Sequence, residues 1–240
     1  MSTGKGAAKR SPQQTIAAIV AAAGHEFGER GLEGARMENI ARRCGRTKQL
    51  IYHYYGSKER LFAEVVSRSH ETAITELLAY DYDRLSPEEA LAAFLRNMSD
   101  QYRRFPQWGP MMLDENLMGG VHYAERRRLS AMTQPLLAQF RRILVRGAAR
   151  GVFAADVDVD KFYAAAFSMV TACYLTGQVL SEYLAVDMRT SDGIAEWHEY
   201  AIGLLLASLR PGSLTGRQIL AVDKGRPSPA SAMVIEGRME

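Results

Sequence analysis

Cysteine is scarce: the 240 residues hold only Cys44 and Cys173, and neither has a Cys or His partner near it in sequence. That pattern excludes a disulfide scaffold and a Cys-rich zinc site, and leaves a small buried apolar role for both thiols. Long apolar runs are missing too; none approaches the roughly 18–20 uninterrupted residues that a membrane-spanning helix needs. The first residues, MSTGKGAAKRSPQQ, lack the apolar core of a secretory signal, so a cytoplasmic protein is expected, with no membrane partner. Strand signals are sparse, with no sustained period-two alternation. Catalytic signatures are lacking: there is no Gly-x-Ser-x-Gly, no phosphate loop and no His-Glu-x-x-His. The five histidines, His25, His53, His70, His122 and His198, are scattered without metal-ligand spacing. No enzyme, metal site or cofactor is expected.

What the chain has is apolar content and helical period. Apolar residues make up 47% and charged residues 24%, enough to bury a core. The net charge of +3 is unevenly placed. Residues 1–60 carry eleven Lys and Arg against five Glu, which leaves +6, whereas the remaining 180 carry nineteen basic and twenty-two acidic residues. A small basic head on a mildly acidic body suits a first quarter that meets a polyanion, or simply a soluble surface.

The spacing predicts an all-α chain. Ile16, Val20, Ala23 and Phe27 share one face of a helix over 13–30, stopped by Gly31. Shorter helices follow over 37–43 and 47–54, the second with Thr47 as N-cap. Ser57 opens a fourth, with Leu61, Val65 and Leu77 on its apolar face, and Ser86-Pro87-Glu88-Glu89 opens a fifth that runs to Phe105. The segment 106–120, with Pro106, Pro110, Gly119 and Gly120, is expected to hold at most a short helix. Another spans 122–150, kinked at Pro135. The last two, over 159–185 and 193–209, are apolar on more sides than one body can cover. A helix–helix interface with a second copy of the chain is the natural sink for that surface. Residues 213–240 are expected to be a disordered tail.

The run from Met37 to Tyr55 has the shape of a helix-turn-helix. Ile40 and Ala41 give the first helix a small apolar face, Gly45 supplies the turn, and Leu50 and Ile51 anchor the second helix. The exposed face of that second helix then presents Lys48, Gln49, Tyr52 and His53, side chains that donate to phosphates or read base edges in a major groove.

The whole run from Thr15 to Val66 resembles the DNA-binding domain of the TetR family of bacterial transcription regulators. Its landmarks are Ile19, Ala22, Phe27 and Gly31, then Ile40-Ala41 and Gly45, then Leu50 or Ile51 with Tyr52, then Tyr55, Ser57-Lys58-Glu59 and Leu61. The resemblance implies a homodimeric repressor whose paired recognition helices sit in successive major grooves of a pseudo-palindromic double-stranded operator. Carried over by position, Thr47 caps the recognition helix and reaches a phosphate. Lys48, Gln49 and His53 read bases or adjacent phosphates, Tyr52 contacts a phosphate, and Lys58 meets one at a helix N-terminus. Arg36 and Arg46 depart from the usual Ser or Thr and small apolar residue; they add phosphate contacts and disturb the expected cap and turn. Lys5, Lys9 and Arg10, in an arm over 1–12, either reach the DNA or form a solvated terminus.

With a helix-turn-helix domain over 13–67, residues 68–212 are expected to form a helical effector-binding and dimerisation domain. Phe105-Pro106, Leu113-Asp114-Glu115, Gly147 through Gly151-Val152-Phe153 and Leu209-Arg210-Pro211 look similar to the branch containing the pyrimidine-responsive regulator of uracil catabolism. Trp108, Met111, Met112, Phe167 and Tyr174 are candidates for an apolar cavity. Glu115, Asn116, Gln178 and His122 are candidate polar contacts for a small organic effector. For any single one of these, core packing is the alternative. A regulator without a small-molecule effector, gated by a protein partner or acting constitutively, is the alternative function; a fully packed body would favour it.

Overall fold

The computed structural model describes residues 11–117 and 126–213, leaving out the side chains of 115 and 126–130, and its regular elements there are all helical. The basic arm with Lys5, Lys9 and Arg10, His122, the Glu115 side chain and the tail beyond Ser213 lie outside the described residues.

Helix α1 (Pro12–Gly34) starts where local chemistry says it should. The Ser11 hydroxyl accepts from the Gln14 N–H, the Gln14 side chain answers to the Ser11 N–H, and Pro12 follows at the first helical position. At Gly31 the backbone turns to φ 65°, ψ 176°, so the helix bends where a stop was expected and resumes for three residues. Helix α2 (Met37–Cys44) closes on Gly45 in the left-handed conformation. The Thr47 hydroxyl accepts from the Leu50 N–H to start α3 (Lys48–Tyr55), and Ser57 does the same for α4 (Lys58–Ala79) through Arg60 N–H. These four helices bury Ile19, Phe27, Ile40, Ile51, Leu61 and Phe62 completely. Phe27 and Phe62 meet edge to face at 5.1 Å.

A second core lies below. A short 3-10 turn (Tyr82–Arg84) leads to α5 (Pro87–Arg104), opened by the Ser86–Glu89 capping box. Then come α6 (Trp108–Leu117), α7 (Arg126–Ala149), α8 (Val159–Leu175), α9 (Gly177–Leu180) and α10 (Ser191–Ser208). Leu91, Phe94, Leu95, Phe140 and Val170 fill this core, each burial stabilising it by about 1.5–3 kcal/mol. Arg146 ties α7 to the turn before α5, donating to the carbonyls of Tyr82, Asp83 and Leu85. Helix α4 is shared: Leu61 to Val66 belong to the first core, Ile74 and Leu77 to the second. The expected boundary at 67–68 falls inside it.

Within the broken stretch 106–120 the chain forms one short helix, Trp108–Leu117, which tolerates Pro110 because it sits in the first turn, where a missing N–H costs nothing. One expectation needs correction. The long helix over 159–185 instead stops at Leu175. Thr176 leaves the helical region at φ −128°, ψ −4°, and α9 and a turn carry the chain to Thr190.

Candidate nucleic-acid interface and buried cavity

On the first four helices, α3 is held from behind and open in front. Ile51 is fully buried in the first core, where α3 packs against α2 and α4, so Lys48, Gln49, Tyr52 and His53 are left exposed on the outer surface. Thr47 spends its oxygen lone pair on the α3 cap and keeps its O–H free to donate outward. Beside α3, an open concavity of about 390 Å³ is lined by Arg36, Glu38, Lys48, Tyr52, Gly56, Ser57, Lys58 and Glu59, three cations against two carboxylates, among others. It brings four of the expected contacts, Arg36, Lys48, Tyr52 and Lys58, to one place between the N-termini of α2 and α4. Helix N-termini and cations together favour a phosphate there.

Several details were not legible in the sequence. Lys48 is ion-paired with Glu38 of α2 and lies 5.8 Å from the Tyr52 ring centroid. Each partner holds the other charged, Glu38 below its ordinary range and Lys48 above, chiefly through their hydrogen bond. Lys58 donates to the Glu33 carbonyl at 3.1 Å, near the C-terminal end of α1. Arg46 folds back toward α1, donating to Thr15 Oγ1 at 3.4 Å, and is not part of the concavity. Tyr54 is exposed on α3 as well, edge to face with His53.

The uncapped start of α2 has its own solution. Arg36 provides no side-chain cap. Instead Glu26, 2% exposed on α1, accepts from the Arg36 N–H at 3.1 Å and the Asn39 amide at 2.8 Å, and pairs with Arg30. A carboxylate borrowed from a neighbouring helix thus takes the N–H of the cap residue, the part that a Glu or Gln in the first turn plays in a capping box.

Beside the second core lies a half-open cavity of about 250 Å³ between α4, α5, α6, α7 and α8. Trp108, Met111, Met112 and Phe167 line it, as expected from the sequence. Val66, Ser69, His70, Ala73, Ile74, Leu77, Met98, Gln101, Tyr102, Thr133, Leu136 and Tyr163 complete the wall. Tyr174 stands one layer out: its ring stacks on Tyr102 at 5.2 Å, and its hydroxyl donates to the Ser99 carbonyl. Asn116 and Gln178 are exposed and away from the wall, because α6 turns Asn116 outward and α8 ends before Gln178. Burial pushes the Tyr163 hydroxyl up to about 12 and holds the His70 imidazole below its ordinary value, so both are neutral at pH 7. His70, Gln101 and Tyr102 lie on α4 and α5, whose amphipathic pattern marked their inward faces but gave no sign of an opening there.

Helix α6 joins the two regions. Met111 lines the cavity and is also packed in the first core. Asp114 Oδ2 accepts from the Leu32 N–H at 2.7 Å, beside the Gly31 bend. Gly28 of α1 touches Gln107 so closely that an added Cβ would fall 2.1 Å from the Gln107 Cβ.

Comparison with known proteins follows this division. Residues 19–65 match the family model of the tetR family of bacterial regulatory proteins, and residues 87–204 match that of the tetracyclin repressor-like C-terminal domain. The HTH-type transcriptional repressor NicS of Pseudomonas putida is 29% identical over 195 residues, covering 80% of this chain and 91% of NicS. The HTH-type transcriptional regulator RutR of Escherichia coli is 30% identical over 102 residues, 42% of this chain and 48% of RutR. In fold, the chain is similar to the crystal structure of PfmR from Thermus thermophilus, with a TM-score of 0.57, 24% identity and coverage of 80% and 99%.

Proposed function

Since the chain belongs to the TetR family and is a DNA-binding transcription regulator, not an enzyme, we propose that it is a repressor released from a pseudo-palindromic operator by a small organic effector. The observation that carries the DNA reading is the outward face of α3 beside the concavity that gathers Arg36, Lys48 and Lys58. Lys48, Gln49 and His53 contact base edges or adjacent phosphates, with Tyr52, Lys58, Thr47 and Arg36 on the backbone. Arg46 acts indirectly, by fixing the turn against α1. A homodimer brings two such faces to one operator, paired through α10 and the segment around α8 and α9. Tyr200, Leu204, Val179 and Tyr183 are exposed apolar side chains there that a second copy covers. The cavity between the helices favours effector release over gating by a protein partner, which a fully packed body would have suggested.

The deciding experiment is operator affinity against salt for the native chain and for Tyr52→Phe with Lys58→Ala. The native chain should show preference over random DNA and a steep negative slope. The double variant should keep its fold, bind more weakly at every salt concentration, and flatten the log–log slope by about 0.9 for the one cation it removes, Lys58, since the Tyr52 hydroxyl is uncharged. Equal affinity and slope in the two proteins would remove Tyr52 and Lys58 from the interface.

A further inference from the structure

The cavity wall carries more information than its size. Nearly all of the surface it presents is apolar, and among the described residues that line it there is no Lys, Arg, Asp or Glu. Rings make up much of it, in two contacting pairs: Tyr102 lies edge to face with Trp108 at 6.2 Å, and Tyr163 stacks on Phe167 at 6.4 Å. Three methionines, Met98, Met111 and Met112, add polarisable thioethers that suit contact with further rings. Polar side chains on the wall are largely committed elsewhere. Ser69 donates its hydroxyl proton to the Val65 carbonyl at 2.8 Å, one turn back in α4. Gln101, 5% exposed, donates through Nε2 to Glu76 at 2.9 Å, and its Oε1 is sealed by surrounding atoms, so the amide offers the cavity no acceptor. His70 and Tyr163 are held neutral by burial.

We propose that the cavity takes an uncharged, apolar ring compound, held by its hydrocarbon surface and not by a polar anchor. This rests on the reading of the cavity as the effector site and names the chemical class of that effector. Water gains little there, because an ordered molecule needs about two to four polar partners and this wall offers few. A hydrocarbon therefore displaces weakly held solvent and covers apolar surface in the same step. A carboxylate or ammonium group would instead shed its hydration against carbon, with no opposite charge on the described wall to meet it. Flat rings match the two aromatic pairs, and a volume of about 250 Å³, below the roughly 300–1,000 Å³ of drug-sized sites, holds one or two of them.

Three matched probes test this by calorimetry, with the full chain titrated into naphthalene, 2-naphthol or 2-naphthoate. Naphthalene should bind at least as tightly as 2-naphthol and at least about tenfold more tightly than 2-naphthoate, equivalent to about 1.4 kcal/mol. Ala73→Trp and Met112→Trp fill the cavity from α4 and α6, and whichever of them keeps the native melting temperature should lose naphthalene binding. Tighter binding of 2-naphthol, 2-naphthoate within tenfold of naphthalene, no binding of naphthalene, or naphthalene binding that survives the filling would each overturn the proposal. Operator affinity, measured with each probe present, judges the effector reading separately. Release by 2-naphthoate alone would keep that reading and overturn the ligand class. Naphthalene that binds in the cavity yet leaves operator affinity unchanged would count against the effector reading and not against the class.

Discussion

Glu26 shows how one side chain can stand in for a missing signal. Its carboxylate is nearly buried on α1, yet it satisfies the N–H of Arg36, the cap residue of α2, and the Asn39 amide, and Arg30 balances its charge. Glu38 does something different on the surface: it occupies Lys48, a side chain proposed to meet DNA. Binding must first trade that ion pair for a phosphate contact, and the Glu38 charge then stays close to the polyanion. Glu38→Gln should therefore bind random DNA more tightly, steepen the log–log salt slope by about one, and narrow the preference for operator. Titrations at several salt concentrations with operator and random duplexes measure all three. An unchanged slope would mean that Lys48 does not reach phosphate. Glu26→Ala, by contrast, should lower stability by about 1–3 kcal/mol without altering charge on the outer face, since it leaves the Arg36 N–H and the Asn39 amide without their acceptor while Arg30 stays solvated.

Among the elements, α6 is the one whose position says most. Its residues contribute to the cavity wall, to the first core through Met111, and to the bend of α1 through Asp114. A ligand that moves α6 moves α1 only if these contacts hold. Asp114→Ala removes the hydrogen bond to Leu32 and leaves the cavity lining intact. It should bind effector as before yet show a smaller loss of operator affinity on effector addition, out of the about 5–150-fold typical of such coupling. Equal coupling in the variant and the native chain would assign the transmission elsewhere. Much of the element order was legible, because Ser11, Thr47, Ser57 and Ser86 are caps whose chemistry is local. The α8 end at Leu175 was not. Apolar side chains resume at Val179 and Leu180, and the interruption at Thr176-Gly177-Gln178 was too brief to outweigh them, although the backbone leaves the helix there. The cavity was half legible for the same reason. Trp108 and Met112 look apolar in any sequence, but a void depends on how five helices meet.

Over the whole molecule, charge and apolar surface are sorted to opposite purposes: cations gather on the first sixty residues, and exposed aromatic and aliphatic side chains gather on α9, α10 and the turn between them. Tyr200 is 60% exposed on α10, next to Gly203, where an added Cβ would meet nothing. A two-fold interface counts every substitution twice. Tyr200→Glu should therefore give monomers by sedimentation, with operator affinity falling steeply because the two heads no longer bind as one. A variant that stays dimeric would place the interface elsewhere. The close approach of Gly28 to Gln107 has a genetic consequence. In a hunt for regulators that no longer answer to their inducer, alleles should accumulate at Gly28, Gly31 and Asp114, along a seam that touches neither nucleic acid nor ligand. Such mutants would look, to a map of binding sites alone, as though they had no reason to exist.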